Sequence, residues 1–260
     1  MAEQRYLTDE HMRKNPDWHV EESAWKASYI LRMLQRHHLE PQTICEVGCG
    51  AGEVLKQLQE QMDPQRQFVG YDISPYAIQL AQSRANERLR FIQADFLQEE
   101  AASFDLILVL DVLEHLEDYF SFLRAIGSKS SYTIFHIPLD LSVQTIMRRG
   151  ALPSVRDTYG HLHYFTKETA LRTLSETGYD ILDCWYTARA LDMPSKELAR
   201  NLMRLPRKLL YTINHDLAAH LVGGWSVLIL AKGQTYRSSS AATSSRSVST
   251  SAESAASAGA

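Results

Sequence analysis

Ile44-Cys45-Glu46-Val47-Gly48-Cys49-Gly50-Ala51-Gly52 places three glycines, alternating with small residues, directly after the short and mostly apolar run Thr43 to Val47. A helical pattern follows, with apolar positions at Val54, Leu55 and Leu58. An apolar run, a glycine-rich turn and a helix describe the ligand-binding corner of a doubly wound α/β sheet. Glycine is required there because a side chain would hold the backbone away from the ligand. Roughly twenty residues on, a second run, Phe68-Val69-Gly70-Tyr71, ends in Asp72, where a carboxylate can accept the hydroxyl hydrogens of a ribose. Together the two features predict a ligand that carries a nucleoside.

Outward from this corner, strand and helix alternate. Strands are predicted at Phe68–Tyr71, Leu89–Gln93, Phe104–Leu110 and Tyr132–Ile137. Helical stretches separate them at Glu53–Met62, Pro75–Arg84, a short piece near Glu99–Ser103, and Glu117–Ser128. Alternation of this kind implies a mainly parallel sheet covered on both faces. The run Leu106-Ile107-Leu108-Val109-Leu110 is apolar throughout, as a central strand buried on both sides should be. Ahead of the sheet, Glu21 to His38 has the helical spacing of Trp25, Ile30, Met33 and Leu34. Beyond it, Thr166 is a predicted N-cap for a helix through Thr177, with Gly178 as its stop. A strand at Tyr179–Trp185, an insertion from Ala188 to Gly224 and a last strand at Trp225–Ala231 then suit a seventh strand inserted antiparallel.

The expected organisation is a helical segment over residues 1–40, one domain over 41–232 with a helical insertion about 189–223, and a tail over 233–260. That tail is 28 residues with 10 Ser and 7 Ala, too poor in apolar bulk to offset its chain entropy, so disorder is expected. A chain of 260 residues, 45% hydrophobic, supports one sizeable core. A net charge of −4 gives no electrostatic footprint for nucleic acid. No apolar run reaches membrane-spanning length. Met1-Ala2-Glu3-Gln4-Arg5-Tyr6 lacks the apolar core of a secretory signal, and the three cysteines form no paired framework, so a cytoplasmic location is expected.

A dinucleotide site wants G-x-G-x-x-G with a pyrophosphate on the helix N-terminus. Here the third glycine, Gly52, comes one place early, and Glu53 at the helix opening would repel a pyrophosphate. A nucleoside without phosphates fits better, and S-adenosylmethionine is such a ligand. The chain at this point resembles the class I, seven-stranded S-adenosylmethionine-dependent methyltransferases over roughly residues 40 to 232. Glu46-Val47-Gly48-Cys49-Gly50-Ala51-Gly52 resembles the family's first motif, Gly70-Tyr71-Asp72-Ile73-Ser74 its second and Gln93-Ala94-Asp95-Phe96 its third. Phe104-Asp105-Leu106-Ile107 with Asp111-Val112-Leu113-Glu114-His115-Leu116 resembles the fourth. His161-Leu162-His163-Tyr164-Phe165-Thr166 is similar to the small-molecule branch that includes ubiquinone-pathway O-methyltransferases.

The resemblance implies a Rossmann-like fold with S-adenosylmethionine as cofactor, and a role for each matched position. Backbone at Gly48, Gly50 and Gly52 would line the methionine part. Asp72 would take the ribose hydroxyls and Ile73 one adenine face. Asp95 would accept from the adenine amino group, and the Phe96 amide would face a ring nitrogen. Backbone near Leu110 and Asp111 would meet the ammonium group, and Glu46 would anchor the loop beside the ligand.

Methyl transfer is an in-line displacement on an activated sulfonium, so alignment supplies most of the rate, with effective molarities of about 10⁵ M or more. A base is needed only where the acceptor still carries its proton, and then adds about 10²–10⁴-fold. Of the ten histidines, His163 is the preferred base, with His161 and His115 behind it. His136, between Phe135 and Ile137, is expected to be packed within its strand. No metal site is expected, because His161-x-His163 lacks an obvious third ligand.

The expected acceptor is a small molecule methylated at a hydroxyl, with N- or C-methylation and a non-catalytic cofactor-binding module or partner subunit as alternatives. The segment Asn15 to Trp25, with two tryptophans, can act as a lid. Ser195 to His220 is predicted as two helices divided at Pro206. Leu198, Leu202 and Leu205 form one stripe, with Lys196, Arg200, Arg204, Arg207 and Lys208 beside it. Such a basic amphipathic stretch suits either a solvated cap or contact with a lipidic acceptor and the membrane surface. The residues after the fourth strand lack the Asn/Asp-Pro-Pro-aromatic sequence of amino-methylating DNA enzymes, and no clustered carboxylate-asparagine set marks a metal-dependent catechol-type enzyme.

Overall fold

Seven strands, β1 (Thr43–Val47), β2 (Gln67–Asp72), β3 (Leu89–Gln93), β4 (Phe104–Leu110), β5 (Ser130–Leu139), β6 (Tyr179–Thr187) and β7 (Trp225–Gly233), form one sheet in the computed structural model. Its order is β3-β2-β1-β4-β5-β7-β6. Residues 4–8, 13, 15–18, 20–99, 101–193 and 204–233 are described. The expected tail beyond Gly233 and the leucine stripe at Leu198 and Leu202 lie outside them.

β1 pairs in parallel with β2 and β4, and the parallel run continues through β3 and β5. β7 enters antiparallel between β5 and β6, as the long excursion before it predicts. The chain winds outward from β1 to β3 and then returns to β4 on the other side of β1. That reversal opens a crevice at the carboxyl ends of β1 and β4, where open α/β sheets bind ligands.

The core has two layers because alternate strand residues face opposite ways. In β4, Ile107 and Val109 join the cluster that includes Phe122, Leu123 and Phe135 on one face. Leu106 and Leu108 join Ile30, Met33, Leu55 and Leu58 on the other. Each fully buried side chain of this size contributes roughly 1.5–3 kcal/mol of transfer free energy. Four helices supply much of the cover: α2 (Ser23–Arg36), α3 (Glu53–Gln61), α4 (Pro75–Ala81) and α5 (Tyr119–Ile126), after a short N-terminal α1 (Gln4–Leu7). Asp118 starts α5 by accepting from the Ser121 amide at 3.0 Å.

Two local expectations need correction. The short helix near Glu99–Ser103 is replaced by a 3-10 turn at Phe96–Gln98, one turn earlier, because the Asp95 carboxylate caps the Leu97 amide at 2.9 Å. Two helices between β5 and α8 (Lys167–Glu176), α6 (Val143–Met147) and α7 (Ala151–Tyr159), lack a strong periodic signal and were not expected. In the insertion, α9 (Arg189–Asp192) is followed by residues 194–203, which lie outside those described, and Pro206 sits in the first described turn of α10 (Arg204–Ile213), where a missing amide hydrogen is tolerated. A further break comes at Asn214, whose side chain caps α11 (His215–Leu221) by accepting from Leu217 at 2.9 Å.

Candidate active site

The glycine loop leaves β1 in left-handed backbone, with φ of 74° at Gly48, 54° at Gly50 and 75° at Gly52. A Cβ on Gly48 would lie 2.7 Å from Val112 Cγ2, and one on Gly52 2.3 Å from Phe91 Cε1, so both conformation and space demand glycine. Asp72, at the end of β2, ties this loop down. Its carboxylate accepts from the Gly50 amide at 2.9 Å and the Ser74 amide at 2.8 Å. The Ile73 amide also bonds to it, so part of its capacity of about four lone-pair positions is used within the loop. Burial raises its pKa, and the amide bonds oppose that rise.

A cavity of about 1760 Å³ opens over this crevice. Its lining includes Glu46, the three glycines, Asp72, Ile73, Asp95, Phe96, Leu110 and Asp111. Every residue the sequence matched to the cofactor therefore borders one space. Glu46 is 3% exposed, and its Oε2 has no hydrogen-bond partner. Burial pushes its carboxyl up to about 8, against the pull of Lys26 and with help from Asp72 and Asp111. Asp95 lines the cavity while capping its own turn. Glu53 also lines it, but Arg84 Nε lies 2.5 Å from its carboxylate, and although burial pulls its pKa up, Arg84, Gln57 and Lys56 together lower it. The charge expected to repel a pyrophosphate is thus largely neutralised, and the glycine spacing carries that argument instead.

Asp111 sits at φ 54°, a left-handed conformation uncommon outside glycine, with its carboxylate held on both sides. Oδ1 is 2.6 Å from His136 Nδ1 and Oδ2 is 2.6 Å from Lys26 Nζ. Burial alone would raise its pKa, but those two partners hold it far below the carboxylate range. His136 is packed within β5 as expected, with Nε2 2.9 Å from Thr187 Oγ1. Lys26 was not singled out by sequence; its only signal is a cation beside Trp25 on the helix ahead of the sheet. Asp17, Trp18, Glu21, Glu22 and Trp25 also line the cavity, so the segment before β1 borders it.

The histidines separate. The amides of Leu162 and His163 donate to the Glu114 carbonyl at 2.7 and 3.2 Å, pinning the loop after α7 against the turn after β4. That pairing brings His161 to His115, ring centroids 5.0 Å apart, and both line the cavity. His161 Nδ1 is 2.6 Å from Asp140 Oδ2. His163, the preferred base, faces away: its Nε2 is 2.8 Å from the Leu116 carbonyl oxygen, its ring packs on Tyr119 at 4.7 Å, and it does not line the cavity. His161 and His163 therefore make no pair. His161 instead gathers with His115 and Glu114, three ligand-type side chains whose donor atoms lie within 4.8 Å of one another. Glu114 is fully buried, and burial together with the Asp111 charge drives its pKa well above the usual range.

Residues 18–183 match the methyltransferase domain family. Over 89 residues the chain is 36% identical to a ubiquinone biosynthesis O-methyltransferase of Azorhizobium caulinodans, covering 32% of this chain and 34% of that protein. The chain thus spans about a third of that relative's length. Magnesium protoporphyrin IX methyltransferase of Synechocystis PCC 6803, solved with bound S-adenosylhomocysteine, superposes with a TM-score of 0.53 at 16% identity, over 81% of this chain and 83% of that one. The N-methyltransferase NodS of Bradyrhizobium japonicum WM9 superposes with a TM-score of 0.53 at 19% identity, over 89% and 96% of the two chains. These two likenesses are of fold. With the family model matched over more than half of the chain, and the fold shared with these methyltransferases, this chain belongs to the methyltransferase domain family.

Proposed function

We propose that the protein transfers the methyl group of S-adenosylmethionine to a hydroxyl oxygen of a small, partly apolar acceptor. The observation that carries this reading is that one cavity is bordered by two sets of residues: the glycine loop with Asp72, and His115, His161, Asp140 and Glu114. The first set suits the cofactor: Asp72 for the ribose, Ile73, Asp95 and Phe96 for the adenine, and the glycines with Leu110 and Asp111 for the methionine part. Lys26, absent from the sequence-based set, supplies a cation for the cofactor's carboxylate beside the loop. The second set suits an acceptor that must lose a proton, because its imidazoles can accept or stabilise it. The segment from Asp17 to Lys26 would close over the cofactor, consistent with its place along the cavity wall.

An apolar acceptor is supported by the surface beside that second set. Ile146 and Met147 on α6 are 66% and 80% exposed, and Leu205, Leu209 and Ile213 on α10 are 75%, 65% and 71% exposed. Gln144 Oε1 lies 3.4 Å from Arg207 Nη2, so the two helices adjoin, and both residues line the cavity. Arg148, Arg149 and Lys208 flank these apolar residues. A basic-rimmed apolar face at a cavity mouth suits delivery of a lipidic acceptor from an anionic membrane surface. No described helix is long and apolar enough to cross a membrane. A cytoplasmic setting accords with Cys45, Cys49 and Cys184 all being free thiols.

Isotope-labelled S-adenosylmethionine supplied with fractionated cell extract tests the reading. The label is expected in an organic-soluble ether. Label recovered only in protein, nucleic acid or an amine would overturn it.

A further inference from the structure

We propose that Glu114, His115 and His161 form a mononuclear site for a divalent transition-metal cation, with Zn²⁺ the best match, on the wall of the cavity. Three observations converge. The donor atoms of the three side chains already lie within 4.8 Å of one another. Zinc bound at about 2.0–2.2 Å to nitrogen and oxygen needs them only somewhat closer, within reach of small side-chain rotations. Glu114 is 0% exposed and neither carboxylate oxygen has a hydrogen-bond partner, although the residue borders the cavity. A buried carboxyl without a hydrogen bond is costly, its one ion-pair neighbour being His115 Nε2 at 3.9 Å among the described residues, and a cation between it and the imidazoles offsets that cost.

The third observation is the support behind one ligand. Asp140 Oδ2 holds His161 Nδ1 at 2.6 Å, leaving Nε2 as the nitrogen available to a ligand. A carboxylate on the far nitrogen fixes the ring and raises its basicity, which is the outer partner that metal-bound histidines need. Two imidazoles and one carboxylate form a borderline donor set suited to zinc rather than to magnesium or calcium. Three protein ligands leave a fourth position open toward the cavity, the arrangement of a site that takes water or substrate.

This inference rests on the hydroxyl-acceptor reading for its chemistry. With the acceptor oxygen at the fourth position, its O–H bond breaks heterolytically and the proton leaves to water in the open cavity. Metal coordination lowers the pKa of a bound water from 15.7 to about 7, so the ionised oxygen is accessible near neutral pH. Its electron pair attacks the methyl carbon, and the C–S bond breaks with its pair going to sulfur. The products are a methyl ether and the uncharged thioether.

The test uses the full-length, tag-free enzyme stripped with a chelator. Zn²⁺ is titrated against a chromophoric competitor, and Co²⁺ is added for its d–d absorption. One Zn²⁺ per chain is expected, with affinity at least 100-fold weaker in Glu114→Gln and in His161→Ala, and about 10–100-fold weaker in Asp140→Asn. Titration with S-adenosylhomocysteine verifies that each variant is folded, and His115→Asn serves as a second ligand variant if His161→Ala is not. No saturable Zn²⁺ binding in wild type, or binding unchanged in these variants, overturns the site. Stripped enzyme that methylates a hydroxyl at full rate regardless of Zn²⁺ overturns the metal's role and leaves the acceptor reading standing. Saturable binding in an enzyme that labels only nitrogen or carbon supports the site and overturns the acceptor reading.

Discussion

Lys26 Nζ lies 2.6 Å from Asp111 Oδ2, which joins the helix ahead of the sheet to the left-handed turn at the end of β4. The lysine side chain is 14% exposed and the aspartate 27%, so water screens the pair only in part. Deleting one partner leaves the other charge in a poor environment, at a cost of 3–5 kcal/mol for fully buried pairs. Lys26→Met is therefore expected to lose about 3 kcal/mol in urea unfolding. It should also weaken S-adenosylhomocysteine binding, read by calorimetry. An unchanged midpoint and an unchanged affinity would show that the contact has no part in either.

Glu46 gives the protein a pH dependence of its own. Its carboxyl shifts from an ordinary 4.5 to about 8 because burial disfavours the charge. The folded state then holds a proton that the unfolded chain has released, so stability from this group is complete below 4.5 and is lost as pH rises toward 8. Each pH unit in that window is worth up to about 1.4 kcal/mol. Thermal melts of Glu46→Gln should fall less steeply than wild type between those limits. Parallel curves would mean that Glu46 is ionised in the fold.

The glycine loop offers a graded comparison. Gly52→Ala combines left-handed backbone with a Cβ 2.3 Å from Phe91 Cε1, whereas Gly150 at φ 77° has open space around a new Cβ. Left-handed backbone alone costs about 1–2 kcal/mol in a non-glycine residue. Gly150→Ala should lose about that much and keep cofactor affinity, while Gly52→Ala should lose more and bind S-adenosylhomocysteine at least tenfold more weakly. Equal losses in the two would show that the crowding at Phe91 relaxes freely.

Opposite outcomes are expected for the two histidines of the loop after α7. His161→Ala should reduce single-turnover methyl transfer by about 10²–10⁴-fold while cofactor binding persists. His163→Ala should retain most turnover and lose about 1–3 kcal/mol of stability, from its bond to the Leu116 carbonyl and its packing on Tyr119. Turnover abolished only in the second variant would return the proton-handling role to His163.

Vesicle cosedimentation examines the surface at the cavity mouth. Vesicles rich in phosphatidylserine should bind wild type in a salt-sensitive manner, with about 1 kcal/mol per basic residue near the surface. Leu209→Glu with Ile213→Asp should weaken binding at least tenfold without altering cofactor affinity. Wild type left in the supernatant would remove the membrane from the proposal.

Much of the fold was legible because its signals are local. The β1–glycine–α3 corner, the apolar β4 and the Thr166 cap each depend on residues a few positions apart. The antiparallel seventh strand could be inferred from the excursion before it. The two helices between β5 and α8 were missed because their apolar residues, such as Ile146 and Met147, point to solvent and leave no buried stripe.

The cofactor residues could be read from order and spacing, because a glycine turn and a strand-end acid have a fixed meaning within a β-α-β unit. The acceptor residues could not. His161 and His163 differ by two positions, yet one borders the cavity and the other bonds to a backbone carbonyl. Sequence by itself determined the sheet, the crevice and the kind of cofactor, since these follow from backbone conformation and local hydrophobic pattern. Tertiary structure alone decided that Glu114, His115 and His161 meet, that Asp140 backs His161 and that Lys26 reaches Asp111. Those contacts join segments 21 to 85 residues apart, whose meeting depends on how the loops pack across the carboxyl edge of the sheet.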